Sequence, residues 1–371
     1  MALALLVGAG TACTSHQPPE RPERLPEVPA LAPVGDVWPG ALLTVPHKLK
    51  DGRTVRPVAM LSADEIFVMA GGRRTAFLSL DVRTGRRRVL ATTPKWASCD
   101  GCFDIHLSPT TINATHIILL INRYEPNSQY EREPRTELWT VPRSGGPMKM
   151  MARLPTTGQG LVDDFEIIGD LVFWWNSKGI WSVSLTGDET GQIFPNRDLD
   201  ITSWPWAYDG RRQTVVNLVT RQEKKARHGD DVEFLDCGPV WCAGQVTSYP
   251  HEVRKTVIQR VDGSGRTTVP GQHLSLVPPI RDRFVLLRPP TAPSDGVWGG
   301  SQLGTSAQLY DRCSRRAALL GFPDRAKAPE DWNEISLGAT TTDGPIVFWK
   351  SGGGRYTVVD LSRITDPPCT D

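Results

Sequence analysis

The chain has 371 residues, with 42 Lys and Arg against 41 Asp and Glu, for a formal net charge of +1. That balance argues against a nucleic-acid partner, whose phosphates demand a basic face. Length alone would allow two ordinary domains, but 34 Gly and 31 Pro interrupt every long stretch. No long amphipathic helix fits, and many short strands joined by turns are expected.

The first segment reads as an export signal. Residues 2–12 are all small or apolar, about the length of a signal core and too short to span a membrane. They end in Gly10-Thr11-Ala12-Cys13, which resembles the lipobox of bacterial lipoproteins, where the Cys is lipidated and becomes the mature N-terminus. Gly10 stands where Leu is usual, and no Lys or Arg precedes the apolar run; an ordinary signal peptide or an N-terminal extension are the alternatives. Prolines at 18, 19, 22, 26, 29 and 33 follow, with charged residues between them. Such a stretch buries too little apolar surface to fold and prefers extended conformations, as a tether does. The expected division is a signal peptide over 1–13, a Pro-rich disordered tether over 14–38 and a folded domain over 39–371.

A hairpin then keeps returning. Residues 77–82 alternate into Arg83-Thr84-Gly85-Arg86, and Val89-Leu90 begin the way back. Leu138-Trp139-Thr140-Val141 precede Arg143-Ser144-Gly145-Gly146, Ile180-Trp181-Ser182-Val183 precede Thr186-Gly187, and Val257 to Val261 precede Asp262-Gly263-Ser264-Gly265. Weaker copies start at Val215 and Leu309, and a last one at Tyr356. The hairpins recur about every 47 residues, near the roughly 40–50 residues of a propeller blade. Two further strands precede most hairpins, so each unit holds four. The fold class is therefore all-β, a β-propeller of seven four-stranded blades. The last unit has strands near 335–339, 346–349 and 356–361 and then stops. A strand over 42–49 is expected to complete it and close the ring.

Setting Cys13 aside, six cysteines remain, an even number that suits disulfides in an exported chain. Local pairing is expected for Cys99 with Cys102 and for Cys237 with Cys242, which leaves Cys313 with Cys369; other pairings remain open. The CxxC of Cys99 and Cys102 sits in a loop and reads as a structural clip rather than a redox pair. Zinc would need a second pair of like spacing nearby, so no metal site is expected.

Catalytic signatures are missing: there is no HExxH, GxSxG or phosphate-binding loop. The acidic pairs Asp163-Asp164, Asp198/Asp200 and Asp230-Asp231 fall near turns and read as solvated. Trp174 and Trp175 are adjacent in a strand, so they face opposite sides and read as packing between blades. The better hint lies in loops. Connections b–c and d–a of a propeller share one rim, and the longest insertions belong to these classes: 95–102, 122–135 and 289–307. Tyr124, Tyr130 and Arg132 with Trp298 form the candidate binding set, and no catalytic residue is assigned.

The phrase from Phe77 to Leu90, with Leu80-Asp81 and Thr84-Gly85, resembles the strand, Asp, x, x, Thr-Gly, strand pattern of the TolB-type and WD40-like propellers of bacterial envelopes. The Gly-His and Trp-Asp signatures of true WD40 repeats are absent. The resemblance implies an envelope protein with a binding platform, and it carries over no catalytic residue. Two classes follow. The first is a monomeric, lipid-anchored binding or scaffold module outside the cell membrane, taking a protein, peptide or cell-wall glycan and no cofactor. The second is an exported hydrolase or lyase with carboxylates at the central channel.

Overall fold

Period-two alternation and turn chemistry put the chain into seven four-stranded antiparallel sheets. The computed structural model describes residues 30–71, 74–94, 103–123, 135–154, 164–176, 179–187, 190–195, 199–246, 254–274, 278–290, 306–322, 335–338, 345–365 and 367–369. Blade 1 shows the plan. Strands Val55–Met60, Glu65–Ala70, Ala76–Asp81 and Arg87–Thr92 pair in chain order as a to d. Blades 2 to 6 repeat it. Strand a is innermost: in blades 2 and 3 the two strands a touch, the Ile167 N–H donating to Thr111 Oγ1 at 3.1 Å. Strand d is outermost, and that of blade 4, Glu223–Lys225, is exposed throughout.

Both faces of a blade are buried against neighbours, so each seam has its own apolar core. Phe67 and Phe77 meet Ile117 and Leu119 between blades 1 and 2. Leu138 meets Trp174 in the next seam, and Trp175 meets Val216 in the one after. The adjacent tryptophans thus serve opposite seams. Val215 with Val257, Ile258 with Leu287 and Leu286 with Val347 continue the circuit. Phe348 against Ile66 completes it between blades 7 and 1. Each such side chain contributes about 1.5–3 kcal/mol.

The ring closes through the N-terminus. Blade 7 takes strands a to c from Ser336–Leu337, Ile346–Gly352 and Arg355–Asp360, and its outer strand is Leu42–Pro46. Leu42 lies opposite Val359 and Pro46 opposite Arg355. The strand expected over 42–49 ends at Pro46, because its partner begins at Arg355 and nothing remains to pair with. His47 N–H donates to Gly354 O at 2.7 Å, and Lys48 turns to bridge Thr54. The tether boundary also moves. Leu319 N–H donates to Ala32 O at 2.9 Å, Pro33 bridges Leu319 in parallel, and Val34 and Trp38 are buried in the seam of blades 6 and 7. Apolar side chains at 34 and 38 decide this against the proline pattern around them.

Disulfides join Cys237 to Cys242 across the a–b turn of blade 5, and Cys313 to Cys369. The second ties the tail beyond blade 7 to the c–d turn of blade 6. Cys99, Cys102 and Cys13 lie outside the described residues.

The recurring turn has a chemical reason. Asp81 Oδ1 accepts from the N–H groups of Arg83 (3.0 Å) and Thr84 (2.8 Å). Asn217 and Asp311 hold the c–d turns of blades 4 and 6 in the same way, and Asp360 Oδ1 accepts from the Ser362 N–H where strand c of blade 7 ends. The turn glycines do a second job. At Gly187, with φ +86°, a Cβ would come within 3.0 Å of Met151 O on the outer strand of the preceding blade. At Gly263 it would come within 3.3 Å of Arg227 O. The c–d turns of blades 3 and 5 thus lean on the blade before them, and glycine accommodates that close approach, whereas a Cβ at Gly85 in blade 1 would meet open space.

Removing residues 1–29 should leave thermal unfolding unchanged, whereas removing 1–46 should abolish a single cooperative transition by baring strand c of blade 7, Arg355–Asp360. A Cys313→Ser, Cys369→Ser variant should lose about 2–4 kcal/mol in urea unfolding. A 1–46 deletion as stable as the full chain would refute closure by the N-terminal strand.

Candidate functional site

Strands a border the axis, and their polar residues define the inner wall. Among the described residues these include Arg56 of blade 1, Glu166 of blade 3, Asp200 of blade 4, Glu233 and Asp236 of blade 5, and His273 of blade 6. Glu166 sits in Asp164–Ile168 between two apolar neighbours, Phe165 and Ile167, both buried. Burial pushes its carboxyl up to about 7. A group of that kind is partly protonated near neutrality and can give or take a proton. Burial also pulls the Arg56 guanidinium down, and Arg56 lies over the Phe348 ring at 5.8 Å.

A second polar locus joins three blades. His273 Nδ1 stands 3.7 Å from Asp236 Oδ2, and the imidazole is buried. The His273 N–H donates to Gln245 Oε1 at 3.0 Å. Tyr208 of blade 4 is buried beside them. Burial raises its phenol, and the Asp236 and Asp209 carboxylates add to the rise. The geometry depends on a bulge. The register of strand a in blade 5 slips between Glu233 and Asp236, where Phe234 takes φ +50° and is 67% exposed. Simple alternation would send residues 232, 234 and 236 to one face. With the extra residue, Leu235 and Cys237 join Val232 in the core of blades 4 and 5, and Asp236 is released toward His273.

On the outside, a cavity of about 450 Å³ lies between strand d of blade 1 and the c–d turn of blade 2, lined by Val89, Leu90, Thr92, Pro147 and Met148. Its polar edge is satisfied internally, since Arg74 Nε donates to Thr93 O at 2.7 Å.

Tyr124, Tyr130, Arg132 and Trp298 lie outside the described residues. The strands that flank them are placed: Arg123 and Arg135 end and begin strands b and c of blade 2, and Arg288 and Ser306 do so in blade 6. Asn122 and Ala307, expected in the loops, belong to those strands and are buried, with Thr136 Oγ1 donating to Asn122 Oδ1 at 2.9 Å. His116 is held in a turn by Asn113 Oδ1, and Asp231 is paired with Arg266, so both are structural. Among the described residues no three His, Cys, Asp or Glu stand together as a metal site. Sequence reading missed Glu166 and the Asp236–His273 pair. The available signal was a lone Glu inside an apolar strand, Phe165-Glu166-Ile167-Ile168.

No protein-family model matches the chain, and no curated protein matches it in sequence. Similar solved structures include YCF48 from Cyanidioschyzon merolae, at 9% identity and TM-score 0.48, covering 85% of this chain and 98% of that one. The Neurospora crassa Pan2 WD40 domain is 11% identical, with TM-score 0.44 and coverage of 85% and 93%. TolB from Acinetobacter baumannii is 10% identical, with TM-score 0.28 and coverage of 83% and 54%. The propeller assignment itself rests on the seven closed sheets.

Glu166 offers a direct measurement. Its carboxyl titrates near 7 when folded and near 4.5 otherwise, so the unfolded chain loses that proton first as pH rises. Its contribution is full below pH 4.5, falls between 4.5 and 7 and is flat above. Compared with the native chain, Glu166→Gln should gain stability from pH 5 to pH 8, on the order of 3 kcal/mol in urea unfolding. An identical pH dependence in both proteins would show that Glu166 is not desolvated.

Proposed function

We propose that the protein is a binding or scaffold module, exported and held at the membrane by a lipid on Cys13, that recognises a protein, peptide or cell-wall glycan. One observation carries this reading. The strand ends flanking 95–102, 124–134 and 291–305 belong to d–a and b–c connections, which share a rim of a closed ring. Three long connections anchored on one rim of a rigid platform suit recognition, because the ring fixes their anchor points. Tyr124, Tyr130 and Arg132 with Trp298 supply flat, amphipathic contacts and an aromatic anchor.

A second reading, an exported hydrolase or lyase acting at the channel, is favoured by Glu166, whose raised carboxyl on the inner wall suits a general acid. The Asp236–His273 pair lies on the same wall. Loss of turnover in Glu166→Gln, on any glycan that the chain is found to cleave, would establish it.

The binding reading is tested by replacing Tyr124, Arg132 and Trp298 with Ala together. A partner recovered from envelope extract by the native chain should be lost from the variant. A partner retained at full strength puts recognition elsewhere. The intact mass of the mature protein should correspond to an acylated N-terminus at Cys13, and a mature N-terminus that excludes Cys13 removes the lipid anchor.

A further inference from the structure

The near-zero net charge of the chain conceals an uneven surface. The a–b and c–d turns of blade 6 carry exposed Arg281 and Arg315, with exposed Arg316 at the start of its outer strand, and the c–d turn of blade 1 carries exposed Arg83 and Arg86; blade 7 stands between the two in the ring. Asp64, in the a–b turn of blade 1, is the exposed carboxylate among the described residues of the a–b and c–d turns of these blades. Asp282 is turned inward, accepting from the N–H groups of Val240 and Trp241. Arginines also weld this arc together. Arg363 Nη2 donates to Ala63 O across the seam of blades 7 and 1, and Arg283 pairs with Asp311 at 2.8 Å.

The first described residues, 30–33, lie on the same side of blade 6. Pro33 runs parallel to strand d of blade 6, opposite Leu319, so residues upstream point back toward Arg316 and the c–d turn. Cys369 is fastened to that turn as well. A chain tethered through its N-terminus therefore presents this rim to whatever holds the tether.

We propose that the basic turns of blades 6 and 1, on either side of blade 7, seat the propeller on an anionic phospholipid surface. The orientation rests on the tethered reading above; the lipid contact does not. A cluster of Arg near an anionic leaflet adds an electrostatic attraction that fixes which face of the propeller meets the membrane. With this rim against the bilayer, the opposite rim, which carries the b–c and d–a connections, faces outward to partners.

The test uses residues 13–371 with Cys13→Ser, so that no acyl chain contributes. The protein should sediment with vesicles of equal parts phosphatidylglycerol and phosphatidylcholine, stay in solution with phosphatidylcholine alone, and be released by salt. Arg83→Glu, Arg86→Glu, Arg281→Glu, Arg315→Glu and Arg316→Glu together should weaken binding by more than about tenfold. The pair Arg83→Glu, Arg86→Glu, in an exposed turn, gives a smaller loss with the fold intact by thermal unfolding. Arg211→Glu with Arg212→Glu, in the b–c turn of blade 4 on the other rim, should change nothing. Equal binding to neutral vesicles, native-like binding by the folded Arg83, Arg86 pair, or tighter retention by a soluble polyanion such as heparin would each overturn the proposal. Absence of a lipid on Cys13, read from the mature mass, would remove the anchor while leaving the vesicle result standing.

Discussion

Everything in this structure depends on one edge being covered. A blade is stable only when both faces are packed and its strands are paired, and blade 7 reaches the end of its own sequence with three strands. Leu42–Pro46 supplies the fourth, which forces the first and last parts of the folded chain into one sheet. Every other seam inherits its geometry from that closure, because seven seams of similar width close only if each blade packs against two others. The disulfide from Cys313 to Cys369 and the buried Val34 and Trp38 act at the adjoining seam. Reinforcement is concentrated where the chain ends meet, the place at which a ring would otherwise open.

The same packing rule explains why polar residues on the inner strands stand out. Strand residues that face a seam must be apolar or satisfied, so a carboxylate there is costly unless it keeps some access to the axis or finds a partner. Glu166 carries that cost as a raised carboxyl. Asp236 avoids most of it through a bulge that sends it to His273 and leaves Phe234 in solvent. Strain at a bulky left-handed residue persists only where the surroundings hold it, and here the closed ring on both sides of blade 5 does so.

Propeller topology also separates two surfaces that sequence order interleaves. The a–b and c–d turns form one rim, with exposed arginines in blades 6 and 1; the b–c and d–a connections form the other. Pro33 and Cys369 are fastened to blade 6 on the side of the first rim, so the described chain ends and the b–c and d–a connections occupy different sides of one rigid body. A net charge of +1 argues against a nucleic-acid partner, but as a whole-molecule figure it averages over this uneven distribution of arginines.

By itself, the sequence determined the architecture: the hairpin from Phe77 to Leu90 and its copies state the strand period, the turn chemistry and the repeat length. It also determined closure, through the missing strand of the last unit, and the opposite facing of Trp174 and Trp175, because these are local rules read over a few residues. It did not show that residues 32–38 belong to the domain, since proline composition outweighs two buried side chains until a partner surface exists. It could not bring Asp236 to His273, which are 37 positions apart in the chain, or reveal that Glu166 is desolvated. Nor could it show that arginines at 83, 86, 281, 315 and 316 share a rim. Those are properties of neighbours, and only a closed ring decides which residues become neighbours.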